Sequence, residues 1–290
     1  GIFFDPPGMD GHLADRRLSD ATAFFDAAEG EPLVFPGCLP HGTYTVSPRH
    51  LQNAASLSRS RGGFWCTHAA ETAAEQATVI ERYGRRVIAH LAELDLLGPD
   101  VVLAHCVHLD EAEIDLLASS GTHVVHNPMS NLKLASGFAP VPALMAAGVN
   151  VTLGTDGAIS GNDLDMWFAI RLAATLHKAT TGDAAVVTTG EALAMATRNG
   201  ARALGAGDRL GSIEVGKEAD LILVDTGRLH AAPLFDPVTH LVYSAGRADV
   251  TDVFVAGRRV VEAGRLLTAD VGALVAAAAA LRPAIAASVA

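Results

Sequence analysis

The sequence predicts an α/β protein built on part of a (β/α)8 TIM barrel, with a small flanking β-sandwich domain. Short apolar runs alternate with helical segments of roughly 10–15 residues, as in βαβ units. The runs are continuously apolar, which is typical of parallel strands buried on both faces. Five runs lead into a histidine or an aspartate: Leu33–Leu39, Phe64–Thr67, Val101–Ala104, Thr122–Val125 and Val149–Thr155. Because catalytic residues in such barrels follow the carboxyl ends of the strands, this layout predicts an active site.

Helices are predicted between these strands from their start and stop signals. Ser47-Pro48 combines a capping serine with a proline at the first helical position, and Gly62-Gly63 ends the helix that follows. The polar segment Ser130–Gly137 is predicted to be a loop. The predicted helices are Asp20–Ala28, Leu51–Arg61, Ala73–Tyr83, Val87–Leu94, Asp110–Ser120, Val141–Ala147, Asp163–Thr180 and Thr189–Leu204.

The character of the sequence changes at Arg209, where turn residues and short strands replace the strand–helix alternation. We therefore predict three parts: a barrel portion over residues 1–208, a small β domain over 209–268, and a C-terminal helix over 269–290. Val255–Gly264 has the form of a hairpin with Gly257 and Arg258 at its turn. The other strands of the β domain are predicted at Leu221–Asp225, His240–Ser244 and Val250–Ala256.

Composition restricts the classes of partner. The 290 residues are 50% hydrophobic, which is enough for one large core and a second small domain. A formal net charge of −11 argues against a nucleic-acid partner, which would require basic patches. No apolar run approaches ~18 uncharged residues, so no membrane span is expected. The alanine-rich tail, interrupted by Arg282-Pro283, is interpreted as an amphipathic surface helix. Three cysteines beside buried strands indicate reduced thiols and a cytoplasmic protein.

His68 and Glu71 are the first candidates for chemistry. A single histidine at a strand end is more often structural, but His105 and Asp156 are expected on the same face of the barrel. Zinc binds imidazole nitrogen and carboxylate oxygen, and Glu71 could then move a proton between water and a leaving group. Alternatively, Glu71 is a carboxylate stabilised by the amino-terminal end of a helix.

The remaining candidates leave alternatives open. His41, between proline and glycine on a loop, suits a substrate contact and equally suits an ordinary exposed histidine. Asp156, in Gly-Thr-Asp-Gly, is either an exposed functional carboxylate or a turn aspartate. His105 is expected at the barrel mouth, with His108 behind it or on the surface. The loop that follows His126 is either a wall of the site or a tight connection.

Five motifs together resemble the amidohydrolase superfamily, and in particular the branch of 5-methylthioadenosine/S-adenosylhomocysteine deaminases and s-triazine chlorohydrolases. A sixth stretch, Gly216-Lys-Glu-Ala-Asp-Leu, is similar to the return of that family into its small β domain. The five motifs are His41-Gly-Thr-Tyr-Thr-Val-Ser-Pro, His68-Ala-Ala-Glu-Thr, His105-Cys-Val-His-Leu, His126-Asn-Pro-Met-Ser-Asn-Leu-Lys-Leu-Ala-Ser-Gly and Leu153-Gly-Thr-Asp-Gly.

The resemblance implies a metal-dependent hydrolase that deaminates an amino-substituted heterocycle, of the adenine type, through activated water. The alternatives are an s-triazine chlorohydrolase or a guanine deaminase. One divalent metal is implied, zinc or else Fe²⁺, together with a small-molecule substrate. A homo-oligomer is one of the assembly states that the sequence leaves open. The implied roles are metal binding by His68 and Asp156, catalysis by Glu71, His105 and Asp156, and substrate binding by His41, Glu71, Asp156 and Ser160.

The sequence departs from the family pattern at its beginning. The family supplies two metal ligands from an H-x-H pair on its first barrel strand, and the sequence has no such pair. The first three strands of the family are not recognised either, and the first residue is glycine. We therefore expect a C-terminal portion of a longer enzyme that lacks two of the metal ligands. The alternative of another class is a non-catalytic remnant that binds a purine-like ligand or a partner chain.

Overall fold

The computed structural model describes residues 2–3 and 11–288, with side chains from residue 16 onward. It divides into two compact units, Gly1–Gly207 and Asp208–Ala290. The last two residues of the predicted C-terminal helix, 289 and 290, lie outside the described residues.

The first unit contains a parallel sheet whose strands follow one another in chain order. Its described strands number six, one more than the five predicted from apolar runs, because Ile2–Phe3 pairs with the strand after it. The strands are β1 (Ile2–Phe3), β2 (Gly37–Pro40), β3 (Phe64–Ala69), β4 (Val101–His105), β5 (His123–His126) and β6 (Val151–Leu153). This arrangement confirms the predicted α/β class.

Helices connect these strands, most of them close to their predicted bounds. Ala73–Tyr83 forms as predicted, with Thr72 accepting the capping bond and Gly84 in the left-handed conformation that ends the helix. The helices are α1 (Gly11–Ala28), α2 (Pro48–Ser60), α3 (Ala73–Tyr83), α4 (Val87–Glu93), α5 (Glu111–Ser120), α6 (Pro128–Lys133), α7 (Val141–Ala146), α8 (Ala158–Gly161), α9 (Met166–Thr181), α10 (Thr189–Met195) and α11 (Arg198–Ala203).

Three predicted elements of the first unit are corrected. The strand predicted from Leu33 begins only at Gly37, because a turn bond from the Val34 amide to the Glu31 carbonyl precedes it. The loop predicted over Ser130–Gly137 begins inside helix α6, which Pro128 starts at its first turn. The helix predicted over Thr189–Leu204 is two helices, because the backbone at Thr197 leaves the helical region.

The second unit is built on an antiparallel sheet of four strands in the order β10–β9–β8–β7. Its elements are β7 (Leu221–Val224), α12 (Pro237–Tyr243), β8 (Val250–Val255), β9 (Arg258–Glu262), β10 (Arg265–Leu266), α13 (Val271–Ala280) and α14 (Arg282–Ser288). The predicted hairpin forms, with Ala256 and Gly257 at its turn and Arg258 already in β9.

The strand predicted at His240–Ser244 is helical in the structure. Asp236 accepts a hydrogen bond from the Thr239 amide, and Pro237 occupies the first helical turn, so a cap–proline start overrides the apolar run. The described residues of this unit therefore form one sheet, and the second sheet of the predicted sandwich is not among them.

The tail is not the amphipathic helix that was predicted. Helix α13 consists only of glycine and apolar residues, and α14 adds Arg282 and Ser288; none of the described residues of either helix is buried. By length and composition alone, the segment Val271–Ser288, with a mean hydropathy of 1.6 over 18 residues, is long and apolar enough to cross a membrane. Its uncharged run ends at Leu281, before Arg282, so the expectation that no apolar run approaches ~18 uncharged residues is not contradicted.

Two histidines pack against each other behind the sheet. His126 ends β5 and His177 lies in α9, with 3.2 Å between their Nε2 atoms, and each is about 1% exposed or less. Burial lowers the pKa of His126 to about 3, with His177 and His105 adding to the effect. Burial also lowers the pKa of His177 to about 4. Both rings are therefore neutral in the folded chain at neutral pH.

This pair predicts a loss of stability in acid. Below pH 6.5 the unfolded chain binds protons at these histidines before the folded chain does, so the free energy of unfolding falls between about pH 6.5 and 4. The loss from His177 alone is about 3 kcal/mol at pH 4. Urea denaturation between pH 7.5 and 4.5 should show a shallower slope for His177→Gln than for the unchanged chain. Equal slopes would contradict the assignment.

Candidate active site

The polar residues at the carboxyl ends of the strands converge on one cavity. His68 lies near the end of β3, His105 ends β4, and Asp156 follows β6. One donor atom from each of these three lies within 4.8 Å of the other two. The cavity has a volume of about 630 Å³, and His41, Glu71 and Ser160 also line it. All the site residues named from the sequence are thus brought together.

The side chain of His68 is fixed by the main chain of the neighbouring strand end. Its Nδ1 lies 2.6 Å from the carbonyl oxygen of His41, and its own amide donates to the same oxygen at 3.1 Å. A carbonyl can only accept, so Nδ1 carries the proton and Nε2 keeps its lone pair. This is the arrangement that prepares a histidine to bind a metal.

His105 is held almost completely buried, at 1% exposure, with φ +74°. Its Nδ1 donates to Oδ1 of Asn131 at 2.8 Å, so its Nε2 also keeps a lone pair. That Nε2 lies 3.9 Å from Oε2 of Glu71 and 4.0 Å from Oδ2 of Asp156. Burial lowers the pKa of His105, outweighing the two carboxylates, which raise it. The imidazole of His105 is therefore neutral, and its Nε2 can accept a hydrogen bond between the carboxyl groups of Glu71 and Asp156.

Asp156 has a left-handed backbone, φ +59°, that turns its carboxylate back toward the strand ends. Oδ2 accepts a hydrogen bond from Ser130 Oγ at 2.6 Å, and Oδ1 accepts one from the Gly157 amide at 2.7 Å. Burial acts to raise the pKa of Asp156, but these hydrogen bonds and the nearby histidines together hold it below its usual value. The carboxylate is ionised at neutral pH and suits a metal ligand or a base.

Glu71 faces His105 across the cavity. Its Oε1 accepts a hydrogen bond from Ser136 Oγ at 3.2 Å. Its amide donates to Oε2 of Glu75, a buried carboxylate of α3, at 2.7 Å. Sequence reasoning missed Glu75, because a glutamate three residues after a threonine is explained locally as part of a helix cap. The signal that could have identified it is its position on the buried face of the helix.

The segment after His126 supports three of the site residues from behind. Ser130, Asn131 and Ser136 are all buried, and they bond Asp156, His105 and Glu71 respectively. None of these three had been given a role in the site from the sequence. The segment also lines the cavity through Leu134, so it forms a wall of the site.

His41 and Ser160 both line the cavity. The ring of His41 is 4.8 Å from the ring of His68, and its Nδ1 is 2.7 Å from Thr45 Oγ1. Burial and the neighbouring His68 lower the pKa of His41. His108 lies behind the site, with its Nε2 donating to the carbonyl of Ser136 at 2.8 Å. Of the two alternatives left open for His41, the structure places its side chain in the wall of the cavity.

The donor chemistry fits a divalent metal. His68, His105 and Asp156 form the one group of three or more histidine, cysteine or acidic residues, among those described, whose atoms lie close enough to hold an ion. The imidazole of His68 and the carboxylate of Asp156 are donors that zinc takes in proteins, and His105 Nε2 presents a lone pair to the same space. The H-x-H pair that supplies two further ligands in the family pattern is not in this sequence.

Gly154 determines how closely the Asp156 segment approaches β5. A Cβ at this position would lie 2.4 Å from Oδ1 of Asn127 and 2.8 Å from Cγ1 of Val125. The Gly154 amide also donates to the carbonyl of His126 at 3.0 Å, which fixes the register of the segment. A side chain at this position would therefore push Asp156 away from the other strand ends.

Comparison with known proteins gives both sequence and structural matches. A model of the amidohydrolase family matches residues 12–260. The 5-methylthioadenosine/S-adenosylhomocysteine deaminase of Syntrophobacter fumaroxidans is 48% identical over 270 residues, covering 93% of this chain and 62% of that protein. The chain spans about three fifths of the length of the curated relatives it matches.

Two solved structures with bound zinc are similar over almost the whole chain. An adenosine deaminase from Xanthomonas campestris has a TM-score of 0.94 and 41% identity, covering 99% of this chain and 65% of that one. An atrazine chlorohydrolase from Arthrobacter aurescens has a TM-score of 0.87 and 26% identity, covering 94% of this chain and 62% of that one. Both matches extend over the strands that carry the candidate site.

The close approach at Gly154 predicts that Gly154→Ala is destabilising. We expect the free energy of unfolding to fall by about 1–3 kcal/mol, because the methyl group must displace Asn127 or Val125. Urea denaturation measures the change. The matched control is Gly200→Ala in α11, where a methyl group meets open space; its effect should be neutral or stabilising by up to about 1 kcal/mol. Equal stabilities of Gly154→Ala and the unchanged chain would contradict the prediction.

Proposed function

The chain belongs to the amidohydrolase family, and from this premise we propose that it carries the site of a hydrolytic deaminase acting on an adenine-type heterocycle. The observation that carries the proposal is the convergence of His68, His105, Asp156 and Glu71 on one cavity at the strand ends. The deaminases among its relatives support this reaction class. Membership of the family also confirms the predicted barrel-type fold.

The metal of this site is proposed to be zinc, with Fe²⁺ as the alternative. His68 and Asp156 would hold it, through Nε2 and a carboxylate oxygen. When bound, it would supply Lewis-acid activation of water. His105, whose Nε2 carries a lone pair and faces both carboxylates, is placed to accept a hydrogen bond from the attacking water. Zinc in the neighbouring structures supports this choice of metal.

The two carboxylates divide the proton transfers of the proposed reaction. Asp156, kept ionised by Ser130 and Gly157, accepts a proton from the attacking water. Asp156 then passes this proton to the leaving amine as the C–N bond breaks. Glu71 delivers a proton to the ring nitrogen next to the aminated carbon, where it stays, and regains one from the hydroxyl of the adduct as the carbonyl forms. Water and the aminated ring are consumed, the C–N bond breaks, and the products are the ring carbonyl and ammonia.

The cavity entrance is proposed to bind the rest of the substrate. His41 and Ser160 offer polar contacts, whereas Leu39, Leu134 and Ile159 offer apolar surface. A chlorohydrolase reaction on an s-triazine is the second candidate, supported by the similar atrazine chlorohydrolase structure. The two reactions differ in the product that leaves, ammonia or chloride.

The three cysteines support the proposal of a cytoplasmic protein. Cys38, Cys66 and Cys106 are free thiols in the structure. Burial raises the pKa of each of them, and that of Cys66 to about 12, so they are unreactive core thiols rather than nucleophiles.

The first prediction of the proposal concerns Glu71. The purified protein should contain zinc and release ammonia from adenosine, 5-methylthioadenosine or S-adenosylhomocysteine. Glu71→Gln should retain the zinc and lose at least about a hundredfold in turnover, because the proton relay is removed. The matched control is Glu81→Gln on the exposed face of α3, which should behave as the unchanged protein.

The outcomes of this experiment are distinct. Absence of both zinc and ammonia release would overturn catalysis by this chain and favour a ligand-binding role. Chloride release from an s-triazine, without ammonia release from the adenine compounds, would favour the chlorohydrolase. Full activity of Glu71→Gln would remove Glu71 from the mechanism.

The second prediction concerns the support of Asp156. Ser130→Ala removes the 2.6 Å hydrogen bond to Oδ2, so the carboxylate is less firmly oriented. Such changes behind metal ligands weaken binding by about 10–100-fold. Competition with a chelator measures the affinity for zinc, without use of the activity. Ser60→Ala, at an exposed helix end, is the control and should leave the affinity unchanged. Equal affinities for Ser130→Ala and the unchanged chain would contradict the assignment.

A further inference from the structure

Glu75 is a buried carboxylate that the proposed mechanism does not use. It lies in the first turn of α3 and is 3% exposed. None of the described lysines or arginines forms an ion pair with it, although buried acids are usually paired. A buried carboxylate without an ion pair must be stabilised by hydrogen bonds, and the donors that bond Glu75 indicate its role.

The hydrogen bonds of Glu75 reach two different segments of the site. Its Oε2 accepts from the amide of Glu71 at 2.7 Å. Its Oε1 accepts from Thr43 Oγ1 at 3.4 Å. Thr43 is itself buried and lies two residues after His41, on the segment between β2 and α2. One side chain therefore joins the segment of His41 to the segment of Glu71.

The backbone beside Glu71 needs such a restraint. Ala70, directly before Glu71, has φ +53°, a left-handed conformation that a residue with a Cβ adopts at a cost of about 1 kcal/mol or more. The bond from the Glu71 amide to Glu75 is formed at the residue that follows this turn. It holds the Glu71 side chain toward His105 and Ser136.

We propose that Glu75 is a positioning residue that fixes Glu71 and the His41 segment relative to each other. The inference rests on the proposed function, since it assigns Glu71 and His41 their contacts with substrate. Glu75 does not touch the reacting atoms in this scheme. It acts through the amide of Glu71 and the hydroxyl of Thr43.

The surroundings of Glu75 indicate which substitute should preserve this role. Burial raises its pKa to about 7, against the hydrogen bonds from Glu71, Ala70 and Thr43. The other titratable groups that face it are Glu71, Tyr44 and Cys106, and none of them is basic. A neutral glutamine, with one carbonyl oxygen for the Glu71 amide, is therefore a close mimic. Leucine fills a similar volume and offers no acceptor.

A capping role alone would give a different result. The cap of α3 is made by the Glu75 amide, which donates to Thr72 Oγ1 at 3.1 Å. This bond belongs to the main chain, so Glu75→Leu leaves it intact. A change in the exchange of the Glu71 amide in Glu75→Leu is therefore caused by the loss of the Glu75 carboxylate and not by the loss of the helix cap.

Amide hydrogen exchange of the zinc-loaded 290-residue chain tests the proposal without use of activity. In Glu75→Leu the Glu71 amide should exchange at least about tenfold faster, while amides of β4 and β5 remain protected. Glu75→Gln should keep the protection. The matched control is Glu113→Leu, a second buried glutamate in a helix first turn, whose Oε1 accepts from the Ile88 amide at 3.0 Å. In Glu113→Leu the Ile88 amide should exchange faster, whereas the exchange rate of the Glu71 amide should not change.

Steady-state kinetics provide the second measurement. Glu75→Leu should lower kcat at least about tenfold, and Glu75→Gln should restore most of it. Unchanged exchange at Glu71 in Glu75→Leu, or an equal loss of protection in all strands, would overturn the proposal. If Glu75→Leu does not fold, Thr43→Val tests the other bond: KM should rise with little change in kcat, and unchanged constants would overturn the coupling. Absence of ammonia release from the unchanged protein would instead contradict the proposed function. The exchange of the Glu71 amide would still show whether Glu75 restrains this segment.

Discussion

The in-register parallel pairing of β3 to β6 is the constraint on which the candidate site depends. Ala69 pairs with His105 and His126 pairs with Leu153, so successive strands end at one level. Residues that are far apart in sequence thereby present their side chains to one cavity. A slip of one residue in any pair would turn its histidine to the other face of the sheet. The apolar side chains that bury the strands thus also set the geometry of the polar groups.

A buried polar layer converts this placement into defined orientations. Ser130, Asn131, Ser136 and Glu75 each bond one site residue from the side away from the cavity. Burying such groups is costly unless they are hydrogen-bonded, which makes the bonded arrangement strongly preferred over its alternatives. The tautomers of the two histidines follow from this layer and from a main-chain carbonyl, so the lone pairs that face the cavity are selected before any ligand arrives.

Five of the six described parallel strands were predicted from the sequence, because continuous apolar runs and the residue after each run are local signals; β1 was not predicted, and β2 begins later than expected. The sequence was insufficient for the supporting layer. Ser130 and Asn131 lie in a short helix whose start, Asn127-Pro128, resembles a turn, and Glu75 is explained locally by the helix cap. Helix α12 was missed for the same reason, since its apolar residues resembled a strand. Contacts between segments decide these cases, and no local pattern encodes them.

Four of the ten described non-glycine residues with positive φ lie where the proposed chemistry lies. Ala70, His105, Cys106 and Asp156 all have positive φ, and all lie at or just beyond the carboxyl end of a strand. None is a glycine, so each conformation costs about 1–3 kcal/mol that the surrounding packing must offset. A connection that served only to join a strand to a helix could relieve this cost with glycine, as Gly84 and Gly121 do at two helix ends. We expect a residue other than glycine at such a strained position where its side chain, or the direction of the backbone beside it, contributes to the site.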